Sequence, residues 1–331
     1  MNNAFSSWSQ LLRGVPQGSV VGPILFNIYL NDLFCLAELT NVCNFADDTT
    51  LFSCDLDLSI LLNRLEHDTS SAIEWFDYNY LKLNEDKCHL IISGHKFENV
   101  WVKIGDTKIW ESQRQKLLGV DIDRQLKFDN FIFSLCKKAS RKLSALARLS
   151  SYLKIDQKRV LMKYFIESQF SYCPLTWMYH GRKASNRINH LHERALRIVY
   201  NDNISSFEEL LRRDDSCSIH HKNLKHFAIE LYKVQNNLST PIMNELFEFR
   251  DISYQLRNRN DFSKVKVNTV SYGLNSLKYF ATKVWDMVPT PLKCLDSVEA
   301  FKNEIKKWTP TCDCKLCQTY IEHIGYCNVV N

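Results

Sequence analysis

Between Asn41 and Ser53 a run otherwise rich in apolar and β-forming residues is interrupted by two adjacent acids, Asp47 and Asp48. The flanks, Asn41-Val42-Cys43-Asn44-Phe45 and Thr49-Thr50-Leu51-Phe52, suit strands, so the acids fall at a hairpin tip where a tight connection ordinarily carries Asn-Gly or Asp-Gly. A local rule broken with no structural gain marks a candidate functional site. Two carboxylates at one tip offer hard oxygen donors for magnesium, and two metals about 4 Å apart can clamp the attacking and leaving oxygens of a phosphoryl transfer. A solvated acidic turn is the plain alternative, because a two-letter motif is weakly specific.

The preceding stretch narrows the choice. Arg13 to Pro23 is a loop set by glycine and proline, and it feeds an apolar helix containing Ile24, Leu25, Ile28, Tyr29 and Leu33. "GVPQGSVVGPILFNIYLNDLF" followed by "FADD" resembles the reverse transcriptase of non-LTR (LINE-type, jockey-like) retrotransposons. The resemblance implies that Gly14, Pro16, Gln17, Gly18 and Ser19, with Phe45 and Ala46, line the template and nucleotide pocket. It also implies that Asp47 and Asp48 hold catalytic Mg2+. The physical chemistry agrees, since glycines let a backbone approach a base or sugar and a glutamine amide both donates and accepts.

The formal net charge of +5 conceals an asymmetry. Residues 1–126 carry 10 Lys and Arg against 17 Asp and Glu, residues 127–200 carry 15 against 4, and residues 201–331 carry 17 against 16. An acidic part suited to gathering cations is therefore followed by a basic part suited to a polyphosphate, or by a solvated helical surface. No signal pattern or apolar run of spanning length is present, so neither secretion nor a membrane span is indicated. The twelve scattered cysteines read as reduced thiols of an intracellular protein, with nucleus and cytoplasm both open.

Along the chain, residues 1–13 read as an edge strand, and Leu58, Leu62, Leu65, Ala72, Ile73, Phe76 and Tyr80 mark a long amphipathic helix packed beneath a sheet. Leu83 to Ile92 reads as a turn into a strand. In the resembling family its lysine, Lys87, approaches the incoming triphosphate, with a water-exposed turn lysine the alternative, and Cys88 stands where threonine is often found. Strands are expected at 99–104, 108–111 and 116–123, and Leu118 and Gly119 resemble a primer-grip hairpin, a structural bulge at Gly119 being the alternative. Helices are expected near 128–152, 155–178, 184–200, 205–213, 217–236, 274–287 and 296–308. Lys137, Lys138, Arg141 and Lys142 on the first of these are expected to bind nucleic acid. The tail offers Cys312, Cys314, Cys317, His323 and Cys327, either a structural Zn2+ site or free thiols in a terminal turn.

The expected fold is α+β: a truncated reverse-transcriptase palm with an antiparallel sheet over 1–126, a basic helical thumb over 127–200, and a mostly helical extension over 201–331. The implied function is RNA-directed DNA polymerisation by two metals, with an RNA template, a DNA primer and deoxynucleoside triphosphates as partners and no membrane. The family's first palm aspartate belongs to a strand many tens of residues before the glycine loop. The sequence is therefore expected to be the 3′ portion of a longer reading frame and inactive alone, with Asp32 a helix-end residue and not a substitute. A non-catalytic nucleic-acid-binding remnant of a dead element is the alternative, and a metal-dependent nuclease has only the paired acids in its favour.

Overall fold

The computed structural model describes residues 14–15, 18–94, 99–178, 182–249, 262–269, 272–273 and 276–309. The chain folds as two units, Met1–Gln115 and Lys116–Asn331. In the first, helix α1 (Gly22–Leu30) starts where the Ser19 hydroxyl accepts the Gly22 amide at 2.9 Å, with Pro23 in its first turn. Proline suits that place because its φ is preset and its missing N–H would have had no helical partner. The helix tightens into a 3-10 turn, Asn31–Cys35, which contains Asp32.

Strands β1 (Asn41–Phe45) and β2 (Asp48–Phe52) pair antiparallel, with Asn41 opposite Phe52 and Phe45 opposite Asp48. Helix α2 (Leu58–Tyr78) begins at Asp57, whose carboxylate caps the Ser59 amide at 2.8 Å. Its Leu58, Leu62 and Leu65 pack with Leu90, Ile92, Val100 and Val102, and so against the hairpin of β3 (Trp101–Ile104) and β4 (Thr107–Trp110). A further hairpin, β5 (Arg114–Leu117) with β6 (Val120–Asp123), stands where the two units divide.

The second unit is helical: α3 (Asp129–Leu149), α4 (Ile155–Phe165), α5 (Pro174–Trp177), α6 (Arg182–Tyr200), α7 (Phe207–Arg213), α8 (Ile219–Gln235), α9 (Pro241–Glu245), α10 (Leu277–Met287), α11 (Thr290–Lys293) and α12 (Val298–Lys307). Serines open four of these helices, the hydroxyls of Ser206, Ser218, Ser276 and Ser297 each accepting an amide three residues on. Each such cap is worth about 1 kcal/mol. One core gathers Phe131, Leu143, Met162, Trp177 and Leu196. The other gathers Phe227, Tyr232, Phe280, Trp285 and Phe301, with the Tyr232 and Phe301 rings stacked at 4.3 Å. Glu167 sits between His192 at 3.2 Å and Lys222 at 2.6 Å. Burial pushes its carboxyl up, but hydrogen bonding to His192 and the Lys222 charge outweigh burial and bring it down to about 2.

Four expectations are corrected here. In place of one antiparallel sheet the described residues form three separate two-stranded hairpins. The segment after Leu83 is a 3-10 turn, Glu85–Lys87, followed by extended chain with a single bridge from Leu90 to Glu111. Backbone bonds from Lys87 to Asn84 and from Cys88 to Glu85 close that turn before a ladder can start. The strand foreseen over 116–123 is two strands, because Leu118 and Gly119 take φ of 46° and 87° and reverse the chain. The helix foreseen over 155–178 ends at Phe165, tightens into a 3-10 turn, Glu167–Phe170, and a new α-helix starts at Pro174, preceded by Cys173 at φ 44°. Proline has no N–H for an interior helical bond and starts helices instead. The strand expected over 1–13 and the cysteine-rich tail lie outside the described residues.

Candidate active site

The register of β1 and β2 leaves Ala46 and Asp47 as the two turn residues and puts Asp48 at the first position of β2. The two acids therefore differ in setting, one at the turn and one on the ladder, and both are exposed. Ala46 adopts φ 54°, a left-handed conformation that costs a residue with a Cβ about 1–2 kcal/mol. Strain of this kind persists where surrounding structure enforces it. Here the Asn44 amide donates to the Thr49 hydroxyl at 2.8 Å across the strands, tying the ladder beside the turn.

The base of the hairpin is fixed by a residue that the motif does not contain. Asp68, in the middle of α2, has its side chain fully buried, and its Oδ2 accepts the Leu39 amide at 2.9 Å, the Thr40 amide at 2.7 Å and the Thr40 hydroxyl at 2.8 Å. Thr40 immediately precedes β1, so α2 sets where the hairpin starts. Leu33 and Leu36 after α1, Val42 and Leu51 of the hairpin, and Ala72 of α2 line one cleft beside that carboxylate. A sequence signal for Asp68 exists: it is an acid on the apolar stripe, three residues after Leu65 and four before Ala72.

Gly14 and Gly18 have φ of 87° and 83°, and among the described residues nothing lies within 4 Å of a Cβ placed on either. The left-handed backbone conformation itself calls for glycine at these two positions. Pro16 and Gln17 lie outside the described residues. Phe45 and Lys87 are both exposed, Lys87 as the last residue of its 3-10 turn. At the β5–β6 tip the Tyr172 hydroxyl donates to the Leu118 carbonyl, and the Tyr172 ring lies 3.6 Å from where a Gly119 Cβ would stand. Neither Asp68 nor Tyr172 was expected at these sites.

On α3, Lys137, Lys138 and Arg141 are exposed and Lys142 is half-buried. Lys137 and Arg141 share one flank, whereas Lys138 and Lys142 are turned about 100° round the helix. His190 is exposed while His192 is buried, so the two do not face one ligand.

Among the described residues, no group of three His, Cys, Asp or Glu side chains is placed to hold a metal. Asp47 and Asp48 still fit part of a magnesium site, because magnesium is held through one or two carboxylates together with substrate phosphates.

Residues 1–122 match the family described as "Reverse transcriptase (RNA-dependent DNA polymerase)". That segment holds the glycine loop and the Asp47–Asp48 hairpin, and the relatives the chain resembles are RNA-directed DNA polymerases of jockey-like elements. The chain is 24% identical over 152 residues to "RNA-directed DNA polymerase from mobile element jockey" of Drosophila melanogaster, covering 44% of this chain and 17% of that protein. It is 24% identical over 215 residues to "Probable RNA-directed DNA polymerase from transposon X-element" of the same organism, covering 60% of this chain and 23% of that protein. A "Retrovirus-related Pol polyprotein from type-1 retrotransposable element R1 2" of Nasonia vitripennis is 24% identical over 178 residues, 50% of this chain and 43% of that protein. The matches thus span about a fifth of the two Drosophila proteins. No solved structure matches the chain.

Proposed function

We propose that this chain supplies the Asp47–Asp48 half of an RNA-directed DNA polymerase site, in which a primer 3′-hydroxyl attacks the α-phosphate of a deoxynucleoside triphosphate. The observation that carries this reading is the tight hairpin presenting two exposed carboxylates, just after the glycine loop and α1, within the segment that matches the reverse transcriptase family. Asp47 and Asp48 would hold magnesium, which when bound neutralises phosphate charge and aids deprotonation of the attacking hydroxyl. Gly14 and Gly18 let the backbone of the loop close on template and nucleotide, and the Gln17 amide pairs with one of them. Lys87 brings a point charge and a proton to the triphosphate. The Leu118–Gly119 turn holds the primer end, and Lys137, Lys138, Arg141 and Lys142 hold the duplex over residues 127–200.

A second reading has one observation behind it. Asp47 and Asp48 have no third acidic, histidine or cysteine side chain gathered with them among the described residues, which suits a nucleic-acid-binding remnant without catalysis. Primer extension separates the two. These 331 residues alone should extend an RNA-templated primer no faster than background, unaltered by Asp47→Ala or Asp48→Ala. With a palm strand bearing a further carboxylate supplied in trans or fused, magnesium-dependent extension should appear and be abolished by either substitution. No extension under the second condition leaves the remnant, and extension by the chain alone that Asp47→Ala removes would mean that another acid completes the site.

A further inference from the structure

Two exposed basic rows lie side by side on the helical unit, and an aromatic ring joins them. On α6, Lys183, Arg187, His190 and Arg194 recur at intervals of four, three and four residues, and all four are exposed. At 3.6 residues per turn they fall within about 60° of the helix circumference and run along about 16 Å of its axis. The opposite side of α6, with Ala184, Ile188, Leu191, Ala195 and Val199, is buried. On α3, which packs against α6, Phe133, Lys137, Arg141 and Arg148 form the corresponding outward row. The Arg187 guanidinium stands 5.4 Å from the Phe133 ring centroid, and Phe133 is nevertheless 54% exposed.

Few acids neutralise this face. Helices α3 and α6 carry five Lys or Arg each and one acid each, Asp129 and Glu193. Glu193 is engaged by Arg197 at 2.6 Å, with His190 at 3.7 Å. A surface that only keeps the chain soluble needs the charges but not the ring. A positive track with an aromatic platform is the pattern that holds unpaired strands, since every base has a face to stack and every nucleotide a phosphate to pair. Bases in a duplex are already stacked on each other and cannot use the ring.

We propose that the α3–α6 face binds single-stranded nucleic acid, with phosphates along Lys183, Arg187 and Arg194 and one unpaired base stacked on Phe133 beside Arg187. This goes beyond the polymerase reading, and it is tested without magnesium or nucleotide, so its failure and that of the polymerase reading are separate results.

The test is fluorescence anisotropy of the full chain with a labelled, unstructured uridine oligomer and with an RNA–DNA hybrid of equal length at one salt concentration. Phe133→Ala should weaken binding of the single strand by about 5-fold or more, the loss expected for one stacked base, and leave the hybrid nearly unchanged. Phe133→Trp should keep or tighten single-strand binding. Arg187→Lys, which keeps the charge and loses the planar group, covers the case in which Phe133→Ala does not fold, and it should also weaken the single strand selectively. Equal losses on both polymers would make the face a general charge surface and overturn the proposal. So would full single-strand affinity in Phe133→Ala or, if that variant does not fold, in Arg187→Lys.

Discussion

A buried carboxylate outside the Asp47–Asp48 motif sets where those acids stand. Burial pushes the Asp68 carboxyl up, yet hydrogen bonds from His67, from Thr40 and from the Leu39 and Thr40 amides outweigh burial and hold it below the ordinary Asp value. A depressed folded pKa stabilises above the unfolded value near 4, and that contribution is lost as pH falls through the folded value. Asp68→Asn should therefore weaken the α2 anchor by about 1.5–3 kcal/mol at neutral pH, the worth of hydrogen bonds to a charged group. Amide exchange at Leu39 and Thr40 would read this, with the gap between variant and parent closing as pH drops below about 4. A gap that stays constant with pH would show that shape and not charge makes the anchor. The Asp47–Asp48 hairpin was legible because the two acids interrupt a strand-forming run, although only Asp47 is a turn residue and Asp48 opens β2. Asp68 stood out only as an acid on an apolar stripe, and its partners were not legible, because they are 28 and 29 residues away and only folding brings them together.

Among the elements, legibility followed how local the cause is. The long helices α2, α3, α6 and α8 were readable from the spacing of their apolar residues, except that α2 ends at Tyr78 and Tyr80 lies beyond it at φ 57°. The break between α4 and α5 was not, since the sequence there keeps apolar residues at helical intervals up to Pro174. The β5–β6 hairpin was legible as a turn but not as a register, because its reversal depends on two consecutive positive φ values and on the Tyr172 hydroxyl reaching Leu118. At Gly119 an added Cβ would meet the Tyr172 ring at ordinary contact distance, so Gly119→Ala should act through the backbone alone. Forcing alanine to φ 87° should cost about 1–2 kcal/mol in chemical denaturation followed by helical circular dichroism. No loss would mean that the turn rearranges freely and is too soft to hold a primer end.

For the whole molecule, charge divides much as the fold does. Met1–Gln115 carries 8 Lys and Arg against 15 Asp and Glu, and Lys116–Asn331 carries 34 against 22, so formal charges of −7 and +12 belong to the two units. A polymer of phosphates is attracted to the second unit and repelled by the first, except where cations intervene at acids such as Asp47 and Asp48. Binding of a hybrid duplex should accordingly fall steeply with salt, since each phosphate contact releases condensed counterions and contributes about 0.9 to the slope of log affinity against log salt. If Lys137, Lys138, Arg141 and Lys142 all touch phosphates, replacing the four by alanine should reduce the slope by about 3.6. Their arrangement on α3 makes a sharper form of the test available. Lys137 with Arg141 and Lys138 with Lys142 occupy two flanks about 100° apart, so a duplex broad enough to span both loses slope with either pair. A duplex seated on one flank loses slope with that pair alone, by about 1.8. A slope unchanged by all four substitutions would return these side chains to the solvent and leave the positive charge of the second unit without a phosphate ligand at α3.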